Sequence, residues 1–433
     1  MGVGDNPSRA RSRRVIATAG RAPKIFASHI RPQTAERANP AAAWLILLGI
    51  IVPASTVQIY LAGAKLTAGR IGIVLLLLPA LFAFFQKGRR TLMLSDFLAV
   101  ATVAWMLFAT VSTSLSGLSS TGAEGLEFVG AYLVARTFFV GPAALQSFVR
   151  GLKFFVTICV ILGAAETVSG QLIVHNTLAA LLHSSAPLLP AHRLGLTRAL
   201  STFDHPILFG DFCTIVAAIF LYSERNVVWR VFWVGICFTG CFCSLSAAPF
   251  LSFFIIVSLY AYDQLLRRSP IRWTALWVTV IVFITLIFLI TDHPIGWIIS
   301  HMTLDPVSGY YRLLIWNLAL PKISLAPFTG YSFESLNQDI LDNTIDCVWL
   351  VLALRFGIPM IALLFLTNVA ACLPTAEGRK SYGSTYMHEM RLAFTIVLVM
   401  FMLNGLTVHY WNYIWIFWGL CVGVRASFRE QSI

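Results

Sequence analysis

Charged residues are scarce in this 433-residue chain, where Asp, Glu, Lys and Arg together make up 12% of the sequence. Soluble domains usually carry about twice that share. Hydrophobic residues make up 58%, and several uninterrupted apolar runs reach the roughly 20 residues that a helix needs to cross a bilayer. Because the runs are continuous and do not alternate with polar residues, they disfavour a transmembrane β-barrel. We therefore expect an all-α, polytopic membrane protein.

The sequence also lacks the Cys and His spacing of a metal site. Eight cysteines are present, nearly all within apolar runs, and Cys237, Cys241 and Cys243 cluster in one run without further ligands at a set spacing. This pattern is typical of small residues that pack between helices, and it gives no disulfide framework. We therefore expect neither a metal nor a cofactor.

Hydropathy predicts about twelve transmembrane helices within a single domain, residues 40–426. Residues 1–39 contain eight Arg or Lys and are expected to be a disordered cytoplasmic tail, and 427–433 a second cytoplasmic tail. The first apolar run is too long for a signal peptide and lacks a cleavage pattern. The fourth predicted span is weak, because it contains Glu124, Glu127 and Arg136. The predicted spans are 41–61, 69–86, 96–114, 123–140, 152–169, 205–222, 229–245, 247–263, 273–291, 344–371, 391–407 and 409–425.

Basic residues are distributed unevenly between the two sides of this predicted topology. With a cytoplasmic N-terminus, most of the 31 Lys and Arg residues fall in inside segments. The exceptions in outside segments are Lys65, Arg193, Arg198, Arg312 and Lys322. Such a bias predicts that both termini are cytoplasmic. The net charge of +12 therefore reflects orientation, and we expect no nucleic-acid partner.

Two predicted external segments, 170–204 and 292–343, are much longer than the other loops. Polar residues that could carry a function concentrate in these two segments. The chain has no convincing internal repeat, which weakens the hypothesis of a transporter built from repeats.

The first external segment leads into the sixth span through "RALSTFDHPILFG", residues 198–210. Pro206 suits the first turn of a helix, and Asp204 or His205 would then be the N-cap. The start of this helix would attract an anion such as phosphate. Arg198 is close enough to reach the same anion, and Arg193 adds donors. His205 could be a cap, a phosphate donor or a proton carrier.

The second external segment contains a predicted amphipathic helix, 309–320. Arg312 and Trp316 are four residues apart on one face, which would allow a cation–π contact. We favour a functional role for Arg312, whereas Tyr311 and Trp316 could equally be interfacial anchors. A turn at 327–330, containing Pro and Gly, is expected to return the chain to the membrane.

The segment ends in "LDNTIDCVWLVLALRFGIP", residues 341–359. Asp342 or Asn343 could cap the tenth span, and Asp342 and Asp346 would share one helical side. Either carboxylate is a candidate general base, with Asp342 favoured, and the alternative is a capping cluster. Arg355 falls inside this span, where an arginine is either functional or paired with a carboxylate.

Three blocks of sequence resemble the O-antigen ligase and polysaccharide polymerase superfamily, often called Wzy-type. "RALSTFDHP" resembles that family's Arg-x-x-Gly-x-Phe…Pro block, with Ser201 where Gly is common. "RLLIWNLALPKISLAPFTGYS" resembles its Arg-x-x-x-Trp…Pro…Gly-x-Gly block, with Ser332 in place of the second Gly. "DNTIDCVWLVLALRFGIP" resembles its His/Asp-Asn…Leu…Gly block. The order of the blocks and the hydropathy plan match the family as well.

The resemblance implies a C-type glycosyltransferase that uses undecaprenyl-diphosphate-linked sugars at the outer face of the bacterial inner membrane. Arg198 and Arg312 would hold the diphosphate without a metal. Asp342 stands where ligases have a catalytic His, which favours an exopolysaccharide or O-antigen polymerase over a ligase.

The implied partners are a lipid-linked donor and acceptor and the surrounding membrane lipids, with a flippase and a chain-length regulator as further candidates. A ligase and a non-enzymatic transporter remain the alternative functions.

Overall fold

The computed structural model describes residues 40–430 apart from a few short gaps, so the predicted tail 1–39 lies outside the described residues. The gaps are 62–63, 87–90, 184–187, 293, 295–296, 298–305, 374–384 and 411–412.

The described residues are mostly α-helical. The helices are α1 (Pro40–Ile51), α2 (Ala68–Phe85), α3 (Leu94–Thr113), α4 (Leu118–Gly125), α5 (Ala131–Phe138), α6 (Pro142–Ser169), α7 (Ile173–Leu181), α8 (Pro206–Ser223), α9 (Val227–Cys243), α10 (Ala247–Leu265), α11 (Arg272–Ile290), α12 (Pro306–Leu325), α13 (Asp339–Asn343), α14 (Val348–Phe356), α15 (Ile358–Cys372), α16 (Thr385–Asn404) and α17 (Tyr413–Glu430).

Two antiparallel hairpins interrupt the helices. Strand β1 (Gln58–Leu61) pairs with β2 (Ala64–Thr67), and β3 (His192–Arg193) pairs with β4 (Leu196–Thr197). The turn between β3 and β4 has positive φ at both central residues, as two-residue hairpin turns require. This hairpin lies within the first long predicted loop.

The described residues include seven helices long and apolar enough to cross a membrane, namely α2, α3, α6, α8, α10, α11 and α16, and three shorter apolar helices. Helix α11 buries only Ile287, and most of its other large apolar side chains are exposed. Exposed apolar surface of this extent suits lipid and not water. The fold is therefore that of an all-α, multi-pass membrane protein.

Helix α8 lies at the centre of the bundle, and almost every one of its residues is buried. A Cβ at Gly210 would lie 2.6 Å from Ser244 Oγ and 2.7 Å from Pro249 Cγ. Only a glycine allows this close approach, which brings the connection between α9 and α10 against the first turns of α8.

The predicted first span, 41–61, is wrong in its second half. Helix α1 ends at Ile51, and the chain then turns and enters the β1–β2 hairpin. Pro53 explains the end of the helix, because it has no N–H to donate and restricts the residue before it.

The predicted tenth span, 344–371, is two helices, α14 and α15, separated at Gly357. This residue has φ +79°, and a Cβ there would lie 1.9 Å from Phe328 O. The N–H of Ile358 donates to Pro327 O at 2.8 Å. The predicted turn at 327–330 is confirmed and packs into this break, which is why the helix cannot continue.

The weak fourth span is helical, formed by α4 and α5 with one π-helical turn between them. Its three charged side chains are all paired. Glu124 contacts Arg355 at 2.7 Å, Glu127 contacts Arg70 at 2.8 Å, and Arg136 contacts Asp96 at 2.9 Å. The prediction that Arg355 pairs with a carboxylate is confirmed, and pairing explains how charge is tolerated here.

Candidate functional site

Three predicted site arginines meet in one cavity of about 290 Å³, which we call the arginine pocket. The chain brings them there from two distant segments, the β3–β4 hairpin and helix α12. The pocket is lined by Arg193, Arg198, His205, Ile207, Ser246, Ala247, Ala248, Tyr311, Arg312 and Asp346.

Arg198 is held between the β3–β4 hairpin and the connection after α9. Its Nη2 donates to Ser246 Oγ at 2.8 Å, and its Nε donates to Ser244 O at 3.4 Å. Arg193 Nη1 donates to Leu245 O at 3.0 Å in the same connection. Burial, assisted by Arg193, lowers the pKa of Arg198 to about 10, so the guanidinium remains charged at neutral pH. Both cations are therefore positioned before any ligand arrives.

Arg312 reaches the pocket from α12, which confirms and extends the predicted helix 309–320. Its Nη2 donates to Thr407 O at 3.4 Å, and its Nε is buried without a hydrogen-bond partner among the described residues. Burial lowers the pKa of Arg312. A guanidinium has five N–H donors, so this one retains donors for an oxygen-rich ligand.

The predicted cation–π contact between Arg312 and Trp316 is absent from the described residues. Arg312 turns towards Thr407, whereas Trp316 packs against the hydrophobic core. Tyr311 lines the arginine pocket, and its hydroxyl shares a 2.8 Å hydrogen bond with Thr344 Oγ. Tyr311 thereby ties α12 to the segment that carries Asp346.

Two helix N-termini open onto the arginine pocket. Helix α8 is capped by His205, whose Nδ1 accepts from the N–H of Ile207 at 3.2 Å. Burial lowers the pKa of His205 to about 4, so it is neutral at physiological pH. Helix α10 begins after Ser246, whose side chain makes no capping bond, and Ala247 and Ala248 line the pocket. The start of α10 at Ala247 agrees with the predicted span, but its place in the site was not predicted because it carries no charge.

Among the described residues, Asp346 is the one carboxylate that lines the arginine pocket. It lies in the non-helical stretch between α13 and α14. Burial raises the pKa of this carboxyl, while Arg312 and Arg198 act in the opposite direction. A partly buried carboxylate beside two arginines can accept a proton from a hydroxyl group.

Asp342, the favoured base in the sequence, lies away from the arginines. Its exposed carboxylate accepts from Leu336 N at 2.8 Å, Ser335 Oγ at 2.8 Å and Gln338 N at 3.3 Å. These bonds, with that from Leu336 foremost, hold the pKa of Asp342 below its usual value. The Asp342 carboxylate thus holds the loop 335–338 against the start of α13.

The predicted cap of the tenth span by Asp342 or Asn343 is wrong. Asn343 is the last residue of α13, and α14 begins after Cys347 without a side-chain cap. The four residues between the two helices are not helical, so Asp342 and Asp346 do not share a helical side.

Asp204, the other predicted cap of α8, is a structural tie. Its carboxylate accepts from Ser55 N at 3.2 Å and from Ser55 Oγ, and it lies 3.7 Å from His175 Nε2. Its own N–H donates to the hydroxyl of Tyr413. Asp204 therefore joins the turn after α1 to α7 and α17, outside the arginine pocket.

Glu166, near the end of α6, was not predicted as a functional residue. Its fully buried carboxylate accepts from Ser201 N at 2.7 Å, Leu200 N at 3.0 Å and Val174 N at 3.3 Å. Ser201 has φ +53°, so the backbone turns sharply here, three residues after Arg198. An acidic residue in the last turn of an apolar span was the signal that could have identified it.

A second cavity of about 400 Å³, which we call the carboxylate pocket, shares Asp346 with the arginine pocket. The side chains of Glu334, Asp342 and Arg355 also line it. Arg355 lies over the ring of Phe333 at 4.5 Å. The structure therefore places Asp342 and Arg355 in one cavity, and Arg198 and Arg312 in its neighbour.

Comparisons with known protein families and with curated proteins find no match to this chain.

Proposed function

We propose that this protein polymerises glycan repeat units carried on undecaprenyl diphosphate. The arginine pocket carries the proposal, because three guanidinium groups and two helix N-termini surround a space with one carboxylate. Such a combination suits a diphosphate, since a planar guanidinium donates in pairs to phosphate oxygens. The unpartnered Nε of Arg312 is a donor without an internal use.

The proposed reaction is a single displacement at the anomeric carbon of the donor sugar. A hydroxyl of the acceptor sugar forms the new C–O bond while the bond from the anomeric carbon to the diphosphate oxygen breaks. Asp346 takes the hydroxyl proton in place of the predicted Asp342, and the lipid diphosphate leaves with the bonding electrons. Arg193, Arg198 and Arg312 stabilise the charge that grows on the leaving group.

Two serines at positions where the related family has glycine support the family assignment. Ser201 has φ +53° and Ser332 has φ +56°. This left-handed region is the one that glycine favours and that other residues rarely adopt. The backbone thus keeps, at both positions, a conformation that would explain a family glycine.

The proposal is tested by Arg198→Ala and Arg312→Ala variants in purified protein supplied with lipid-linked repeat units. We expect turnover to fall by about 10² to 10³ for each, the range for losing one preorganised donor to a developing oxyanion. The Lys variants should recover only part of this loss, because an ammonium cannot donate a paired fork.

The matched control is Arg268→Ala, since Arg268 is exposed between α10 and α11 and lines neither pocket. It should polymerise as the wild type does. Normal polymerisation by either pocket variant would refute the diphosphate site.

A ligase, which moves finished glycan to another acceptor, is the closest alternative. Asp342 stands where ligases of the family have a catalytic histidine, and this difference favours the polymerase. Deletion of the gene separates the two. Loss of a polymerase leaves single repeat units, whereas loss of a ligase leaves full-length chains on the lipid carrier.

A non-enzymatic transporter is the second candidate, and the buried ion pairs favour it. Arg70–Glu127 and Arg136–Asp96 are charges paired within the bundle, as in many transport pathways. Proteoliposomes loaded with lipid-linked repeat units distinguish the candidates. A transporter moves the substrate unchanged, whereas a polymerase gives longer chains and free undecaprenyl diphosphate.

We also propose that about twelve spans place both pockets at the outer face of a bacterial inner membrane, with cytoplasmic termini. The bias of basic residues supports this orientation. A cysteine introduced at Ser324 should react with an impermeant thiol reagent added outside intact spheroplasts, and one at Arg268 should not.

A further inference from the structure

The carboxylate pocket is a second cavity that the displacement of diphosphate does not use. Its volume of about 400 Å³ lies in the range of about 300–1,000 Å³ that is usual for pockets binding small organic molecules. Its lining combines two aromatic residues, Tyr331 and Phe333, with several hydrogen-bonding side chains. Asp346 lines this cavity and the arginine pocket alike, so the proposed base faces both.

The charges of the two cavities differ in sign. Three carboxylates line the carboxylate pocket, those of Glu334, Asp342 and Asp346, against a single arginine, Arg355. Arg355 is itself paired with Glu124 at 2.7 Å. A diphosphate in this cavity would therefore meet repulsion, whereas carboxylates accept hydrogen bonds from the hydroxyl groups of a neutral sugar.

An unused polar group lies in the same lining. The Ser332 side chain is 3% exposed, and its hydroxyl has no hydrogen-bond partner among the described residues. Buried hydroxyl groups are normally satisfied, so this one, which lies against Gly117 beside the cavity, keeps a donor for a ligand or a bound water. This observation is independent of the carboxylates.

We propose that the carboxylate pocket binds the acceptor sugar, holding its attacking hydroxyl against Asp346. The assignment rests on the proposed glycan transfer, and it gives the donor and the acceptor separate binding sites. The donor diphosphate binds on the arginine side of Asp346, and the acceptor glycan, without its lipid diphosphate, binds on the other side. The hydroxyl proton passes to Asp346 as the new glycosidic bond forms.

The test uses two probes with full-length protein in nanodiscs. One probe is undecaprenyl diphosphate, and the other is the lipid-free repeat-unit oligosaccharide released by partial hydrolysis of the cells' own surface polysaccharide. Ser335→Trp places a large side chain in the carboxylate pocket, because Ser335 is exposed and lines that pocket but not the arginine pocket. Ser324→Trp adds the same bulk at an exposed position of α12 that lines neither pocket.

We expect Ser335→Trp to weaken oligosaccharide binding at least tenfold and to leave undecaprenyl diphosphate binding within twofold. Arg312→Ala should do the reverse, and Ser324→Trp should bind both probes as the wild type does. Unchanged oligosaccharide binding in Ser335→Trp, or equal loss of both probes, would overturn the acceptor assignment while leaving the diphosphate site standing. A wild-type protein that binds neither probe would instead refute the proposed function.

Discussion

The two pockets that meet at Asp346 have opposite character. The arginine pocket gathers Arg193, Arg198 and Arg312 from distant parts of the chain, with two helix starts behind them. The carboxylate pocket is lined mostly by one stretch of chain, residues 331–355, and carries more acids than bases. In the proposed transfer, neighbouring cavities of opposite sign would hold the charged diphosphate of the donor and the neutral acceptor sugar on separate sides of Asp346.

The largest effect is expected from a variant of Asp346, the residue that both cavities share. Asp346→Asn keeps the shape of the side chain but cannot take a proton, so we expect kcat to fall by about 10² to 10⁴. Asp342→Asn removes a charge from the carboxylate pocket and one oxygen acceptor of its loop, and it should mainly raise the KM for acceptor. Steady-state kinetics with varied acceptor measure the split. A larger loss of kcat in Asp342→Asn than in Asp346→Asn would restore Asp342 as the base.

A second variant removes Glu166, which holds the backbone beside Arg198, and it should affect only the arginine pocket. Glu166→Ala removes the acceptor of three backbone N–H groups, and each one left unsatisfied costs about 1–3 kcal/mol. We expect a lower unfolding temperature and a donor KM raised roughly tenfold, since about 1.4 kcal/mol is tenfold in binding.

Glu166→Gln is the matched control, because its amide oxygen can still accept from Ser201 and Leu200. It should recover most of the donor KM while acceptor KM stays unchanged in both variants. If the Gln and Ala variants are equally impaired in donor KM, Glu166 does not position Arg198 through these bonds.

The pH dependence of kcat tests the role of Asp346 as the base, and the expected effect is smaller. Burial raises the pKa of Asp346, and a base acts only when deprotonated, so kcat should fall with decreasing pH at a higher pH than for an ordinary Asp. Arg198 and Arg312 lower this pKa. In the Arg198→Gln variant, the fall of the residual kcat with decreasing pH should therefore begin at a higher pH than in the wild type. If kcat falls at the same pH in the variant and the wild type, Asp346 is not the titrating base.

The smallest effect is expected at the ion pair behind the carboxylate pocket. Glu124 and Arg355 have side chains that are 24% and 29% exposed, and partly exposed pairs contribute about 1 kcal/mol or less. Glu124→Gln should lower the free energy of unfolding by no more than this, as measured by chemical denaturation. A much larger loss would mean that Glu124 shapes the pocket wall.

Much of the fold could be predicted because hydropathy reports directly on helices that face lipid. The ends of α2, α3, α8, α9, α10 and α11 lie within two residues of their predicted bounds. The failures have local causes that hydropathy does not register. Pro53 ends α1, and Gly357 breaks the tenth span where the 327–330 turn packs against it. Each interruption is a matter of backbone sterics inside an apolar run.

The candidate site divides in the same way. Arg198 and Arg312 were identifiable because cations are rare in external segments, and the structure brings both into one cavity. The sequence favoured Asp342 as the base and we propose Asp346, because the two carboxylates look alike in sequence and differ only in the fold. Only the loop that closes on Asp342 turns the first away and leaves the second in the pocket. Glu166 was overlooked because its partners are backbone N–H groups, which no sequence pattern displays.

An all-α membrane protein with two polar segments can be predicted from the residues in order, because apolar length and the cost of burying charge act residue by residue. Tertiary structure alone decided which polar groups meet. Arg198 and Arg312 are separated by more than a hundred residues, and Asp346 lies in non-helical chain between two helices. Their convergence depends on how α8, α10 and α12 are arranged in the folded bundle, which no local pattern contains.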